Sequence, residues 1–207
     1  MTDGLPTPPD GPRFRPVSRE DRERLLGQKG LVAWLTGLSG SGKTGVARGA
    51  ERILHGGGRL TRSLDGDEFR EGLSRGLGFS LEDRRENIRR LAETARILAD
   101  SGLMVIVSAI SPTLAIRELA RSIIGNGVFI EVFVSCPLAV CEARDPKGLY
   151  RKARAGEIPG FTGIDSPYEA PLSPDLVIRT DVVGKGEASR LLADLLQARG
   201  VPLEHRG

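Results

Sequence analysis

The stretch LVAWLTGLSGSGKT, from Leu31 to Thr44, decides the fold. Its first six residues, Leu31 to Thr36, are an apolar run between Gly30 and Gly37, the pattern of a strand buried on both faces. The next eight, Gly37-Leu38-Ser39-Gly40-Ser41-Gly42-Lys43-Thr44, fit GxxxxGK[ST]. Helix signals resume after Lys43 and continue to about His55, where Gly56, Gly57 and Gly58 stop them. A strand, a glycine-rich loop and a helix in that order form a phosphate loop. Glycines let the backbone curl so that its N–H groups point at phosphate oxygens, and the helix N-terminus adds its dipole. Lys43 then reaches the β- and γ-phosphates, and the Thr44 hydroxyl ligates Mg²⁺. A chance Gly/Ser-rich turn would show the same letters without the flanking strand and helix. The loop implies a nucleoside triphosphate such as ATP. It does not separate a kinase from a GTPase or a motor ATPase.

Working outward, further apolar runs alternate with helical patterns. Strands are predicted over 60–64, 104–109, 129–134 and 176–178, the first of them weakly apolar (LTRSL). Helices are predicted over 19–26 behind Ser18, over 81–101 between Ser80 and Gly102, and over 184–199. This alternation predicts an α/β fold: a P-loop, three-layer α/β/α arrangement on a mainly parallel five-stranded sheet. Residues 1–17, with Pro6, Pro8, Pro9, Pro12 and Pro16, read as a flexible arm, and 18–207 as one domain. The chain of 207 residues is 39% hydrophobic and 28% charged, ordinary for a globular domain. Its net charge of +3 is too small to argue for nucleic acid but suits a small anionic substrate. No apolar run approaches membrane-spanning length, and a signal peptide's hydrophobic core is missing, so a cytoplasmic protein is expected. Cys136 and Cys141 are not spaced as metal ligands and read as reduced thiols.

Many P-loop proteins carry a metal-linked acid at the end of a later strand, but here those strands end in Ser108-Ala109 and Ser135-Cys136. The acids instead follow the second strand, as Asp65-Gly66-Asp67. Parallel strands end on one edge, so this pair should face the phosphates, either to accept a proton or to bind metal-bound water. The alternative is an ordinary Asp-Gly turn. Arg70 lies one turn beyond Asp67 and could clamp an anion, whereas Arg75, Arg84, Arg85, Arg89 and Arg90 also fit a solvated helix face. Phe79, in GLGFS, can stack on a base or plug the core. Residues 152–174 are rich in Gly, Pro and polar side chains and carry Gly160-Phe161 in PGFTGID; they suit either a lid or a surface loop.

Together GLSGSGKT, LDGDEFREGL, LGFSLEDRRENIRR, ISP, FIEVFVSCPLAVCEARDPKGLYRKARAGEI and GFTGIDSPYEAP resemble the adenylyl-sulfate kinases. The likeness runs from about Ser18 to Ile178, and its later blocks are more specific than the phosphate loop. It implies transfer of the γ-phosphate of ATP to the 3′-hydroxyl of adenosine 5′-phosphosulfate, giving 3′-phosphoadenylyl sulfate for sulfate assimilation. It implies Asp67 nearest the 3′-hydroxyl with Asp65 in support. Arg70, Arg84 and Asn87 would hold phosphosulfate or ribose, and Phe79 and Phe161, with Gly160, would sandwich the substrate adenine. Ile110 and Ser111 would line the pocket, and Lys147 would contact the nucleotide. Lys43 and Asp67 are then the catalytic pair. Ser111 joins them as a candidate phosphoserine site, although direct in-line transfer needs no such intermediate. The likeness also implies a homodimer and functional coupling to a separate ATP sulfurylase. The sequence departs from the family pattern at Gly45, where a second hydroxyl is usual, and at Glu68, which replaces Asn and adds a negative charge. It departs again at Thr113 and Leu114, in place of an aromatic and a basic residue. Two other readings use the same fold: a catalytically silent nucleotide-binding regulatory domain, and a kinase for another small hydroxyl compound.

Overall fold

The computed structural model describes residues 16–201, so most of the proline-rich arm expected over 1–17 lies outside the described residues. Five strands form one parallel sheet: β1 (Leu31–Thr36), β2 (Thr61–Asp65), β3 (Met104–Ser108), β4 (Phe129–Ser135) and β5 (Leu176–Arg179). Their order across the sheet is β2-β3-β1-β4-β5. All six residues of the central β1 are buried, which is why that strand reads as an unbroken apolar run. β2 is an edge strand, with only Leu64 buried and Arg62 exposed. Its weak LTRSL pattern follows, since an edge strand has less surface to bury and a charge there discourages further pairing.

One face of the sheet is covered by α2 (Lys43–Gly56) and α8 (Lys185–Gly200), over a core including Ala33, Leu35, Ile106, Val132 and Leu192. At Gly49 in α2 a Cβ would run into the Ser189 side chain of α8, so the glycine sets how closely these helices pack. The other face carries α4 (Leu81–Asp100) and α5 (Leu114–Ile124), whose Leu91 and Ile116 share a core with Trp34, Val105 and Val107. A smaller cluster of Cys136, Cys141, Tyr150, Ala153 and Phe161 gathers α6 (Leu138–Arg144) and α7 (Leu149–Arg154) at one end. The expected three layers are present.

α1 (Arg19–Leu26) has the expected Ser18 cap, closed as a reciprocal capping box with Asp21. Four described helices do not follow from the sequence reading, the seven-residue α6 among them. α3 (Gly66–Glu71) begins inside what reads as an Asp-Gly turn; Asp65 caps it through a 2.9 Å bond from the Asp67 N–H to Oδ1. α5 starts on Thr113, whose Oγ1 accepts from the Ile116 N–H. α7 ends at Arg154, so the loop expected from residue 152 begins later, and it is not free chain: Phe161 and Thr162 are buried.

Candidate active site

Parallel strands deliver their C-terminal ends to one edge, and the site is built there. In the Gly37–Thr44 loop, Gly40 (φ 74°) and Gly42 (φ 99°) hold left-handed backbone that a side chain would strain. Three side chains pull loop carbonyls outward. The Tyr150 hydroxyl donates to the Ser39 carbonyl (2.9 Å), the Thr180 hydroxyl to that of Ser41 (2.6 Å), and Arg144 reaches that of Gly40 (3.4 Å). A trans peptide sets C=O and N–H on opposite sides, so anchoring these carbonyls turns the Gly40 and Gly42 N–H groups the other way, where an anion would sit. Burial pushes the Tyr150 phenol well above its ordinary pKa, which keeps it a donor. The sequence reading singled out none of these anchors. Tyr150 and Arg144 lie in the ARDPKGLY block, where only Lys147 was given a role.

Lys43 is buried, and its ammonium donates to the Gly37 and Leu38 carbonyls, each at 2.8 Å. Burial lowers its pKa to about 8 against the attraction of Asp67, Cys141 and Asp65. The Thr44 hydroxyl donates to Asp65 Oδ2 at 2.7 Å. Asp65 therefore does two jobs, one oxygen capping α3 and the other meeting the phosphate loop. It stands in register beside Ser108 at the end of β3, so the acid missing from β3 is supplied one strand over. A hydroxyl and a carboxylate at this spacing form a hard-oxygen donor pair of the kind Mg²⁺ takes.

Asp67, 68% exposed at its side chain, forms an ion pair with Lys147, which arrives from 80 residues away. That hydrogen bond raises the Lys147 pKa. Asp67 is also within electrostatic reach of both Lys43 and Arg70. Glu68 does not leave the extra negative charge that its residue type suggests: it pairs with Arg48 of α2. Gly45 leaves room for the Lys185 stem, whose Cε would lie 3.0 Å from a Cβ there.

Arg70 donates to the Gly78 carbonyl (2.6 Å) and lies over the Phe79 ring, 4.6 Å from its centroid. Burial lowers its pKa, opposed by Asp67. Arg84 is not on a merely solvated face. Its guanidinium donates to the Phe79 carbonyl (2.9 Å), the Gly160 carbonyl (2.6 Å) and the Thr162 hydroxyl, tying two loops that are 76 to 78 residues from it and 5 residues from it respectively. Asn87 lies one helical turn further on the same face, buried, with Oδ1 unpartnered. Asp165 accepts from the Gly160 and Phe161 N–H groups and shapes that turn.

The two phenylalanines differ. Phe79 is 65% exposed, whereas Phe161 is 7% exposed and meets the Tyr150 ring edge-on at 5.0 Å. Ile110 is half-buried, and its carbonyl accepts from Thr36 Oγ1 (2.7 Å). Ser111 follows it in the chain. It is buried, holds a left-handed φ of 39°, and its hydroxyl accepts from the Trp34 indole at 3.1 Å. Freeing that hydroxyl would orphan a buried N–H.

The signature of the family described as adenylylsulphate kinase matches residues 29–179. An adenylyl-sulfate kinase of Erwinia tasmaniensis is 53% identical over 186 residues, 90% of this chain and 92% of that protein. An adenylyl-sulfate kinase of Citrobacter koseri is 56% identical over 180 residues, 87% of this chain and 88% of that one. Among solved structures, the Mycobacterium tuberculosis APS kinase CysC in complex with AMPPNP and APS superimposes with a TM-score of 0.79 at 52% identity, covering 82% of this chain and 98% of that one.

Proposed function

This chain belongs to the adenylylsulphate kinase family, and on that premise we propose how its residues divide the work of the reaction. The enzyme transfers the γ-phosphate of ATP to the 3′-hydroxyl of adenosine 5′-phosphosulfate. ATP lies in the Gly37–Thr44 loop, its phosphates on the inward N–H groups. Lys43 leaves the Gly37 and Leu38 carbonyls to meet them. Thr44 and Asp65 would hold Mg²⁺, which when bound offsets charge developing on the transferred group. Asp67 accepts the proton of the 3′-hydroxyl. Lys147 holds Asp67 in an ion pair until the nucleotides arrive, then turns toward phosphate.

Adenosine 5′-phosphosulfate lies between the Phe79 loop and the Gly160–Thr162 turn that Arg84 joins. Phe79 is the movable face of the adenine slot and Phe161 its fixed wall. Arg70, Arg84 and the unpartnered Asn87 Oδ1 offer charge and an acceptor to phosphosulfate and ribose. Ile110 and the Ser111 backbone close the pocket. The observation that carries this assignment is Asp67, paired with Lys147, standing within electrostatic reach of both Lys43 and Arg70. One proton acceptor there serves an acceptor nucleotide and a phosphate donor at once.

The test is steady-state formation of the 3′-phosphorylated product from ATP, Mg²⁺ and adenosine 5′-phosphosulfate by purified protein and by Asp67→Asn. General-base removal should lower kcat by about 10²–10⁴ with both KM values little changed. Full activity in Asp67→Asn would move the proton acceptor elsewhere. We also propose a cytoplasmic homodimer of the single domain 18–207, coupled in function to a separate ATP sulfurylase. No described helix is long and apolar enough to cross a membrane. Sedimentation of the purified chain tests the dimer.

A further inference from the structure

A buried cation unrelated to the phosphate loop sits on α5. The Arg117 side chain is only 3% exposed, and all three faces of its guanidinium are engaged. Nε donates to Glu131 Oε1 of β4 (2.9 Å), Nη1 to the Ser111 carbonyl (2.9 Å) and Nη2 to the Glu169 carbonyl (2.8 Å). Glu131 is itself buried and is shared with Arg121 (3.1 Å). A structural ion pair would need only the first of these bonds. The other two go to backbone on two separate loops, the strained turn at Ile110–Pro112 and the segment that leaves the Gly160–Thr162 region.

Other bonds join the same two loops. The Glu169 N–H donates to the Pro112 carbonyl (2.8 Å), and its Oε2 accepts from the Leu114 N–H (2.6 Å). Thr36 Oγ1 donates to the Ile110 carbonyl and lies 3.0 Å from the Tyr168 hydroxyl. The Arg117 guanidinium lies 5.9 Å from the centre of the Tyr168 ring. Ser111, at φ 39°, holds a backbone conformation that a non-glycine residue keeps only when its surroundings impose it. Arg117, like Thr36 of β1, contacts both the strained turn and the Tyr168–Glu169 segment, and it adds a buried ion pair to β4.

We propose that Arg117 is a positioning residue that locks the acceptor-side turn Ile110–Pro112 to the end of the lid at Tyr168–Glu169. One buried guanidinium thereby sets both the wall of the acceptor pocket and the anchored end of the segment that closes it. Closure at Gly160–Thr162, where Arg84 holds, then pivots on a fixed base. This assignment rests on the reading that Ile110, Ser111 and the Gly160–Phe161 turn hold the acceptor nucleotide. The P-loop anchors Tyr150, Arg144 and Thr180 are separate from it, so the donor site should not respond.

The variant Arg117→Lys keeps a charge for Glu131, but one ammonium cannot reproduce the planar three-way fork. The expected result is a KM for adenosine 5′-phosphosulfate raised about tenfold or more with the KM for ATP within about twofold. Amide hydrogen exchange should accelerate in peptides covering 109–116 and 166–171 and stay unchanged in the phosphate loop. Tyr168→Phe, which removes only the hydroxyl partner of Thr36, should move the same constant in the same direction by about threefold, and it decides the matter if Arg117→Lys does not fold. An unchanged KM for adenosine 5′-phosphosulfate in a folded variant overturns the proposal, as does an equal rise in both constants. If the unsubstituted protein lacks the kinase activity, that reading fails instead. The exchange pattern then still judges Arg117: no localised acceleration refutes it.

Discussion

Replacing each phenylalanine of the proposed adenine slot by alanine should give two different defects. Phe161 is 7% exposed and packs among Cys136, Cys141, Tyr150 and Ala153. Phe→Ala at such a site costs about 3–5 kcal/mol, because transfer energy and cavity terms add. In a domain of this size each kcal/mol moves Tm by about 2–4 °C, so Phe161→Ala should lower Tm by about 6–20 °C. The Tyr150 ring also loses its edge-on partner, and its hydroxyl anchors the Ser39 carbonyl, so the KM for ATP should rise too. Phe79 is 65% exposed and leaves no cavity. Its folded-state contact is with Arg70, worth about 0.5–1 kcal/mol at an exposed site, or about 1–4 °C. Its loss should appear in acceptor binding: a lost base stack of about 1–3 kcal/mol raises the KM for adenosine 5′-phosphosulfate about 5- to 150-fold. Scanning calorimetry beside steady-state kinetics separates the two. A Phe161→Ala protein with unchanged Tm and a rise in the acceptor KM alone would refute the fixed wall. A Phe79→Ala protein with unchanged acceptor KM would refute the movable face.

Three further predictions concern charge. With its pKa lowered to about 8 by burial, Lys43 in the ligand-free protein is charged below that pH and progressively neutral above it. ATP binding should therefore be strongest below pH 8 and weaken by about tenfold by pH 9 in calorimetric titration; a flat profile would refute the burial argument. The same shift makes Lys43 favour unfolding while it is charged. The unfolded chain holds its proton to about pH 10.5, so this group's contribution to ligand-free stability rises between about pH 8 and 10.5. Asp65→Asn keeps an acceptor for the Asp67 N–H but loses the charge beside Thr44, so the Mg²⁺ concentration needed for half-maximal rate should rise about tenfold. An unchanged Mg²⁺ titration would move the metal away from this pair.

Much of the scaffold is legible in the sequence because the forces that set it are local. Ser18 and Ser80 announce helix starts through bonds three residues away. The apolar run at β1 announces a strand covered on both faces. α3 and α7 are less legible because each is only six residues long, too short for a helical period to show, and α3 hides behind an Asp-Gly pair. α5 does carry its signal, with Ile116, Ala120 and Ile124 buried at helical spacing behind Thr113. Thr113 and Leu114 read first as departures from a motif, yet Thr113 is the cap of that helix and the Leu114 N–H is held by Glu169. Glu68 likewise reads as an unbalanced charge until Arg48 is found beside it.

The sequence by itself determined that a phosphate loop follows a buried strand and that a pair of acids stands at the end of the second strand. Periodicity, capping and glycine placement act within a few residues and survive without knowledge of the rest of the chain. Only the tertiary structure decided that Lys147 holds Asp67, that Arg84 joins the Phe79 and Gly160 loops, and that Phe161 is buried while Phe79 is exposed. It also decided that the Ser111 hydroxyl belongs to Trp34 and its carbonyl to Arg117. Those contacts join residues far apart in the chain, and their energies depend on burial and direction, which appear only once the sheet brings its edges together.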